Sequence, residues 1–236
     1  MRALARVRVK DFVDNCVIVC SMPLTGSPKG MTEPVREAFS IAVDGGLKHF
    51  KKLRAEPNVW VGDGDSLKKL PKGGEMQVAK LPPKKDYSDL EAALQIAGQA
   101  FFEGVWSGDV ILLGAQGGRF DHDIVTMLSV QRWLQAMASS AKRADCPDVV
   151  SYGVHGMWLA TTRGMAFEQP KGKFFSIVAF ESGTKVSVSG ARYNVRNLAL
   201  EPGAMGLSNE GTGKMTKVSV VKGKGPVFVI FPASGS

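Results

Sequence analysis

The chain has 236 residues, of which 44% are hydrophobic and 22% charged, with a net charge of +8 at pH 7 and a pI near 9.4. That is enough apolar material for one large core or two small ones. No apolar run approaches the length of a membrane span, and Arg2, Arg6, Arg8 and Lys10 precede no long apolar segment, so neither a membrane protein nor a secretory leader is expected.

The first buried strand is expected over residues 16–20. Thr32 and Pro34 have the residue types of a helix start, with Val35 and Phe39 on its apolar side. A second apolar run, Ser40 to Val43, ends in Asp44-Gly45-Gly46 and leads into a short helix with Leu47, Phe50 and Leu53 on one side. Val59-Trp60-Val61 predicts a third strand ending in Gly62-Asp63-Gly64-Asp65-Ser66, and Met76 to Leu81 a fourth. Ser88 and Glu91 fit a capping box. The helix they open carries Leu90, Leu94, Ala97 and Phe101 on one face. Val110 to Leu113 is the next strand. It runs into Gly114-Ala115-Gln116-Gly117-Gly118-Arg119-Phe120-Asp121-His122, after which Ile124, Met127, Leu128, Gln131 and Leu134 recur at helical spacing.

Composition changes near residues 141–147, and helical periodicity disappears beyond them. Trp158 to Thr162, Phe174 to Phe180, Lys185 to Val188, Lys217 to Val221 and Val227 to Phe231 read as strands between Gly and Pro turns. The expected fold class is therefore α/β. An N-terminal three-layer α/β domain with a mostly parallel sheet (residues 1–145) precedes a C-terminal all-β sandwich domain (residues 150–236), with a barrel as the alternative for the second. Of the three cysteines, Cys16 and Cys20 would lie roughly 13 Å apart on one strand face, too far for a disulfide. Reduced thiols suit a cytoplasmic protein, and no Cys/His spacing resembles a zinc site.

Ligands on parallel sheets bind beyond the carboxyl ends of the strands, and the acidic motifs fall at such ends. Asp63 and Asp65 share a glycine turn, Asp86 and Asp89 open a helix, and Asp121 follows Gly-Gly-Arg. Five carboxylates at one sheet edge repel each other. Mg²⁺, which takes oxygen ligands and bridges to substrate phosphates, resolves that repulsion. Turn and cap chemistry explains any one of these aspartates equally well, but not the set. The turn after Leu113 offers backbone N–H groups to an anion, with Gly114, Gly117 and Gly118 allowing close approach. Arg119 and Lys85 are placed either to meet phosphate oxygens or to pair with neighbouring aspartates. His122 is a nucleotide contact or a packed first-turn residue. No P-loop and no nucleophile elbow is present. The Lys and Arg residues are scattered, which favours a solvated surface or attraction of a small anionic substrate over a nucleic-acid interface.

The motifs Val43-Asp44-Gly45-Gly46, Gly62-Asp63-Gly64-Asp65-Ser66, Asp86-Tyr87-Ser88-Asp89-Leu90-Glu91-Ala92-Ala93-Leu94 and Gly117-Gly118-Arg119-Phe120-Asp121-His122 resemble the signatures of the thiamine pyrophosphokinase family, in order and spacing. Fainter matches are Gly190-Ala191-Arg192-Tyr193-Asn194-Val195 and Gly206-Leu207-Ser208-Asn209-Glu210. The resemblance covers roughly Cys16 to Phe231. It implies an α/β catalytic domain joined to a β-sandwich, a homodimer, and an active site between the α/β domain of one subunit and the β domain of the other. The implied reaction moves a diphosphate from ATP to the hydroxyethyl group of thiamine, leaving AMP, and requires Mg²⁺. By position, Asp63, Asp65, Asp86, Asp89, Arg119 and Asp121 are implied as catalytic, with Asp63, Asp65, Asp86 and Asp121 as metal ligands. Asp44, Gly45, Gly46, Lys85, Gly114, Gly117, Gly118, Arg119 and His122 are implied as nucleotide-binding, and Tyr193, Ser208 and Asn209 as thiamine-binding. The chain departs from the family at Gly64, where a bulky apolar residue is usual, at Gln116, where a small hydroxyl residue is usual, and at Lys48-His49.

In-line attack of a hydroxyl on the β-phosphorus needs positioning, charge neutralisation and a proton acceptor, Asp89 or Asp121. A cationic thiazolium suits carboxylates and an aromatic face such as Tyr193. The expected partners are ATP, thiamine and a second copy of the chain, with no nucleic acid and no membrane. Two rival readings stand beside this one: a diphosphokinase for another alcohol such as a hydroxymethylpterin, and a non-catalytic nucleotide- or nucleic-acid-binding module, which the +8 charge motivates.

Overall fold

A computed structural model describes residues 14–25, 35–65, 75–140, 145–223 and 225–233. The helix start expected at Thr32 and Pro34, and Ser66, lie outside the described residues. The chain divides into two compact units. One gathers Lys10–Trp133 with Val149–Val154, the other Leu134–Asp148 with His155–Ser236.

The first unit is built on strands β1 (Cys16–Val19), β2 (Phe39–Val43), β3 (Val59–Gly62), β4 (Gln77–Lys80), β5 (Val110–Leu113) and β6 (Val149–Gly153), in spatial order β6-β5-β1-β2-β3-β4 with every one of these pairings parallel. Ile18 lies opposite Ile41 on one side and Leu112 on the other. β1, β3 and β5 are buried at every residue. Successive side chains of a strand point to opposite faces, so the sheet must be covered on both, as unbroken Val, Ile and Leu runs require. Residues 35–37 are helical, and the complete helices among the described residues are α1 (Leu47–Leu53), α2 (Asp89–Phe102) and α3 (Phe120–Ser140). α2 starts at a capping box: Ser88 Oγ accepts from the Glu91 N–H at 3.1 Å, and Glu91 Oε2 accepts from the Ser88 N–H at 2.8 Å. Its buried Leu90, Leu94 and Ala97 pack toward β2 and β3. Phe39, expected on a helix, instead begins β2, because its N–H is taken by the Asn15 carbonyl at 3.2 Å.

The chain lays β1 to β4 outward in one direction, then returns to place β5 on the other side of β1. Connections therefore diverge between β1 and β5 and open a crevice at their carboxyl ends, where Val19 and Leu113 are in register. Pairing continues past the strands, with Cys20 N donating to the Leu113 carbonyl at 2.8 Å and Met22 N to the Gly114 carbonyl at 2.9 Å.

The second unit packs a four-stranded antiparallel sheet against a second run of strands. The four-stranded sheet has the order β11 (Val195–Leu200), β10 (Thr184–Ser189), β13 (Met215–Lys222), β8 (Gly164–Glu168). The other runs β12 (Asn209–Glu210), β9 (Phe174–Val178), β14 (Val227–Pro232), β7 (Gly156–Thr161). β10 alternates buried and more exposed residues, the mark of a strand with one covered face. Phe167 of β8 meets Phe175 of β9 and Phe231 of β14 edge-on, at ring-centroid distances of 5.2 and 4.8 Å, and joins the two layers. β8, β11 and the two-residue β12 had no expected counterpart.

The boundary drawn from composition at residues 145–150 differs from the division by contacts. β6 reads as apolar as any sandwich strand, but Val149 pairs in parallel with Val110 of β5 and so belongs to the first unit. Truncating the joining ring, Phe167→Ala, is expected to destabilise the second unit by about 3–5 kcal/mol, read from a shift in its urea unfolding midpoint. Ser88→Ala is expected to cost the first unit about 1 kcal/mol through loss of the cap, read in the same way.

Candidate active site

The carboxyl ends of the parallel strands enclose a cavity of about 580 Å³. Its wall includes Ser21 and Met22 after β1, Asp44 after β2, Lys85 and Asp89 at the start of α2, and Asp121 after β5. This is the topological crevice described above, lined by charge.

Asp44 is the first residue past β2 and opens a 3-10 turn, Asp44–Gly46, at φ +43°. Beneath it, the Trp60 indole Nε1 donates to the Asp44 carbonyl at 3.1 Å. Beside it, Gly62 of β3 packs tightly: a Cβ there would stand 3.0 Å from the Asp44 Cα, Cβ and Oδ1. Asp63 and Asp65 follow β3. The Asp65 N–H donates to Asp63 Oδ1 at 3.1 Å, the first reason that the Asp63 carboxyl lies below the usual carboxylate range. One carboxylate oxygen from each of Asp44, Asp63 and Asp65 lies within 4.8 Å of the others. Asp44 Oδ1 is buried and has no hydrogen-bond partner among the described residues. An unsatisfied buried carboxylate oxygen is costly. Three converging carboxylates fit a hard divalent cation with oxygen preference.

Lys85 Nζ bridges Asp63 Oδ2 at 3.2 Å and Asp89 Oδ1 at 3.0 Å, with its side chain only 9% exposed. Burial alone would lower its pKa, but the bonds to Asp89 and Asp63 outweigh burial and the net shift is upward. Asp89 shifts the other way from a stabilised anion: burial raises its carboxyl pKa, against the pull of Lys85. Of the two roles open to Lys85, the structure displays the ion pair.

The turn after β5 passes close under β1. Gly114 has φ +61°, and a Cβ there would meet the carbonyl oxygens of Met22 and Cys20 at 2.6 and 2.7 Å, so only glycine fits. Gly117 also has positive φ, and its N–H donates to Asp123 Oδ2 at 3.3 Å. Asp121 and His122 line the cavity, whereas Asp63, Asp65, Gly117, Gly118 and Arg119 stand outside its wall. The exposed Arg119 forks onto Asp121, and that hydrogen bond is the first cause of the lowered Asp121 pKa. Gln116 is buried, and its amide donates to Ser151 Oγ of β6 at 2.8 Å. This departure from the family pattern therefore anchors the turn. His49, another departure, donates its ring N–H to the Met22 carbonyl at 2.9 Å and ties α1 to the loop after β1.

The structure thus gathers Asp63 and Asp65 with Asp44, the residue that the sequence reading gave to the nucleotide. Asp86 and Asp121 do not join this trio among the described residues, and Asp86 is exposed away from the cavity wall. Gly45 and Gly46 are buried in the turn beneath Asp44. Ser21, Met22, Tyr87 and Thr126 of the wall were missed. Recognition of β1 as the strand at the reversal of connections would have pointed to Ser21 and Met22.

In the second unit, Tyr193 and Asn209 line a small apolar cavity of about 150 Å³ with Val186, Leu198 and Leu207. Asn209 is 8% exposed, and its amide is committed to the backbone. Its Oδ1 accepts from Tyr193 N at 3.1 Å and Glu210 N at 2.8 Å, and its Nδ2 donates to the Tyr193 carbonyl at 2.8 Å. Asn209 therefore sets the backbone of Tyr193, whose ring stays exposed beneath the Arg192 guanidinium, 5.5 Å from the centroid. Ser208, at φ +55°, hydrogen-bonds through its N–H to Ser176 Oγ at 3.1 Å.

Two family descriptions match the chain, the catalytic domain of thiamin pyrophosphokinase over residues 35–140 and the vitamin B1 binding domain of the same enzyme over residues 164–224. Thiamin pyrophosphokinase 1 of Caenorhabditis elegans is 27% identical over 214 residues, 84% of each chain. In fold, the chain is similar to the thiamine pyrophosphokinase of Bacillus subtilis (TM-score 0.69, 20% identity, 93% of this chain and 99% of that one). It is also similar to the thiamin pyrophosphokinase of Candida albicans (TM-score 0.65, 13% identity, 94% of this chain and 90% of that one). With both domain descriptions matched, the catalytic one over the segment that carries these carboxylates, the chain belongs to the thiamin pyrophosphokinase family.

Proposed function

We propose that this thiamine diphosphokinase takes ATP as diphosphate donor in the cavity at the ends of β1, β2 and β5, with Mg²⁺ held at its edge, where Asp44 of the wall meets Asp63 and Asp65. The observation that carries this reading is the trio of Asp44, Asp63 and Asp65, one member of which, Asp44, has a buried carboxylate oxygen without a hydrogen bond among the described residues. Asp44, Asp63 and Asp65 would hold the metal, which when bound neutralises phosphate charge and so favours attack at phosphorus.

The residues of the chain supply the rest. Lys85 keeps the Asp63 and Asp89 carboxylates in place and offers a cation to phosphate oxygens. Asp89 is the better placed proton acceptor of the two candidates. Both line the cavity, but burial makes the Asp89 carboxylate a stronger base than usual, while the Arg119 bond makes exposed Asp121 a weaker one. Ser21, Met22 and Gly114 shape the wall without competing charge.

The homodimer is part of the proposal. Phe120, Ile124 and Leu128 lie at four-residue spacing along α3 and are exposed, Phe120 by 77%, a row of apolar side chains that a second copy would cover. The proposed compartment is the cytoplasm, in keeping with free thiols at Cys16 and Cys20. No helix among the described residues is long and apolar enough to cross a membrane.

Purified protein given ATP, Mg²⁺ and thiamine should form AMP and thiamine diphosphate in equal amounts. AMP formation only with another alcohol would reassign the acceptor, and neither product with any acceptor would overturn the reading. Asp63→Asn should lower kcat on the order of 10²-fold or more with the fold intact. Asp89→Asn should lower it by roughly 10²–10⁴-fold, and more than Asp121→Asn does. A base must be deprotonated to act. With the Asp89 pKa raised, activity should fall on acidification at a higher pH than an unperturbed aspartate would give, and Asp89→Asn should abolish that limb of the kcat/KM profile.

A further inference from the structure

The carboxylate trio depends on a backbone conformation that aspartate does not favour. At φ +43° the Asp44 Cβ crowds its own following carbonyl group. Two neighbours from β3 hold it there. Trp60 is fully buried, and its indole N–H, a donor that cannot also accept, has the Asp44 carbonyl as its partner at 3.1 Å. That one bond satisfies a buried donor and fixes the peptide that follows Asp44. Gly62, two residues along β3, approaches the Asp44 side chain so closely that an added Cβ would lie 3.0 Å from three of its atoms. The register that pairs Ala42 with Trp60 and Val43 with Val61 sets both neighbours against the same residue.

We infer that Trp60 is a positioning residue for the divalent cation: its indole N–H holds Asp44 in the left-handed conformation that brings the Asp44 carboxylate to Asp63 and Asp65. The inference rests on the reading of that trio as a cation site. A tryptophan that merely fills the core would affect stability when shortened and leave metal affinity alone. Trp60→Phe keeps a buried ring and removes the donor. Gly62→Ala disturbs Asp44 from the other side without touching the indole.

The test is Mn²⁺ binding to the full-length protein without nucleotide, followed by the electron paramagnetic resonance signal of free Mn²⁺, with circular dichroism and thermal melting as controls for folding. The wild type should bind Mn²⁺, and both variants should stay folded with a dissociation constant raised about 10-fold or more. In turnover, the metal concentration for half-maximal rate should rise more than kcat at saturating metal falls. Unchanged Mn²⁺ affinity in folded Trp60→Phe overturns the inference. Should that variant not fold, unchanged affinity in Gly62→Ala overturns it instead. A wild type that binds no Mn²⁺ would remove the cation site and this inference with it, whereas a binding wild type with unaffected variants removes only the role of Trp60.

Discussion

The placement of β1 between β2 and β5 is the constraint from which the catalytic unit follows. A strand of four fully buried residues, paired in parallel on both sides, fixes the point at which the chain reverses its direction of travel across the sheet. Helices and loops that leave neighbouring strands at such a point must part, and the gap between them cannot be filled by the backbone. Gly114 shows how tightly the margin of that gap is drawn, since no larger residue could pass the carbonyl oxygens at the end of β1. Every charged group of the cavity is delivered by a turn or helix start whose position this arrangement sets.

Electrostatics then decides what the gap can hold. Asp44, Asp63, Asp65 and Asp89 belong to three different turns, and Lys85 is the cation buried among them, bonded to Asp63 and Asp89. The pairing leaves the carboxylates in unequal states. Asp63 is held down by the Asp65 N–H, Asp89 is pushed up by burial, and Asp44 keeps an oxygen without a donor among the described residues. Pairs of acids driven apart in this way are what a site needs to combine metal binding with proton transfer.

That Asp63 and Asp65 lie together at a strand end was legible in the sequence because a glycine turn is a local feature. That Asp44 joins them was not, since it depends on the register of β2 against β3 and on an indole 16 residues away. Asp86 carries the same letter as Asp89 three positions on, but only Asp89 lies on the helix turn that faces the cavity. Gln116 reads as a substrate-side departure until its partner Ser151, 35 residues away, is known. β6 could not be told from a sandwich strand because apolar pattern records burial and not the identity of the partner. Asn209 stands in a motif shared with the family, and its amide holds the neighbouring backbone, a distinction that needs hydrogen-bond geometry.

The central claim is that Asp44, Asp63 and Asp65 together hold the divalent cation for transfer of diphosphate from ATP. The most direct measurement is a crystal structure with Mn²⁺ and a non-hydrolysable ATP analogue, in which anomalous scattering locates the metal. The account predicts a peak within coordination distance of one oxygen from each of these three aspartates, beside the analogue phosphates. A peak held instead by Asp86 and Asp121, or an analogue bound with no metal near the trio, would contradict it.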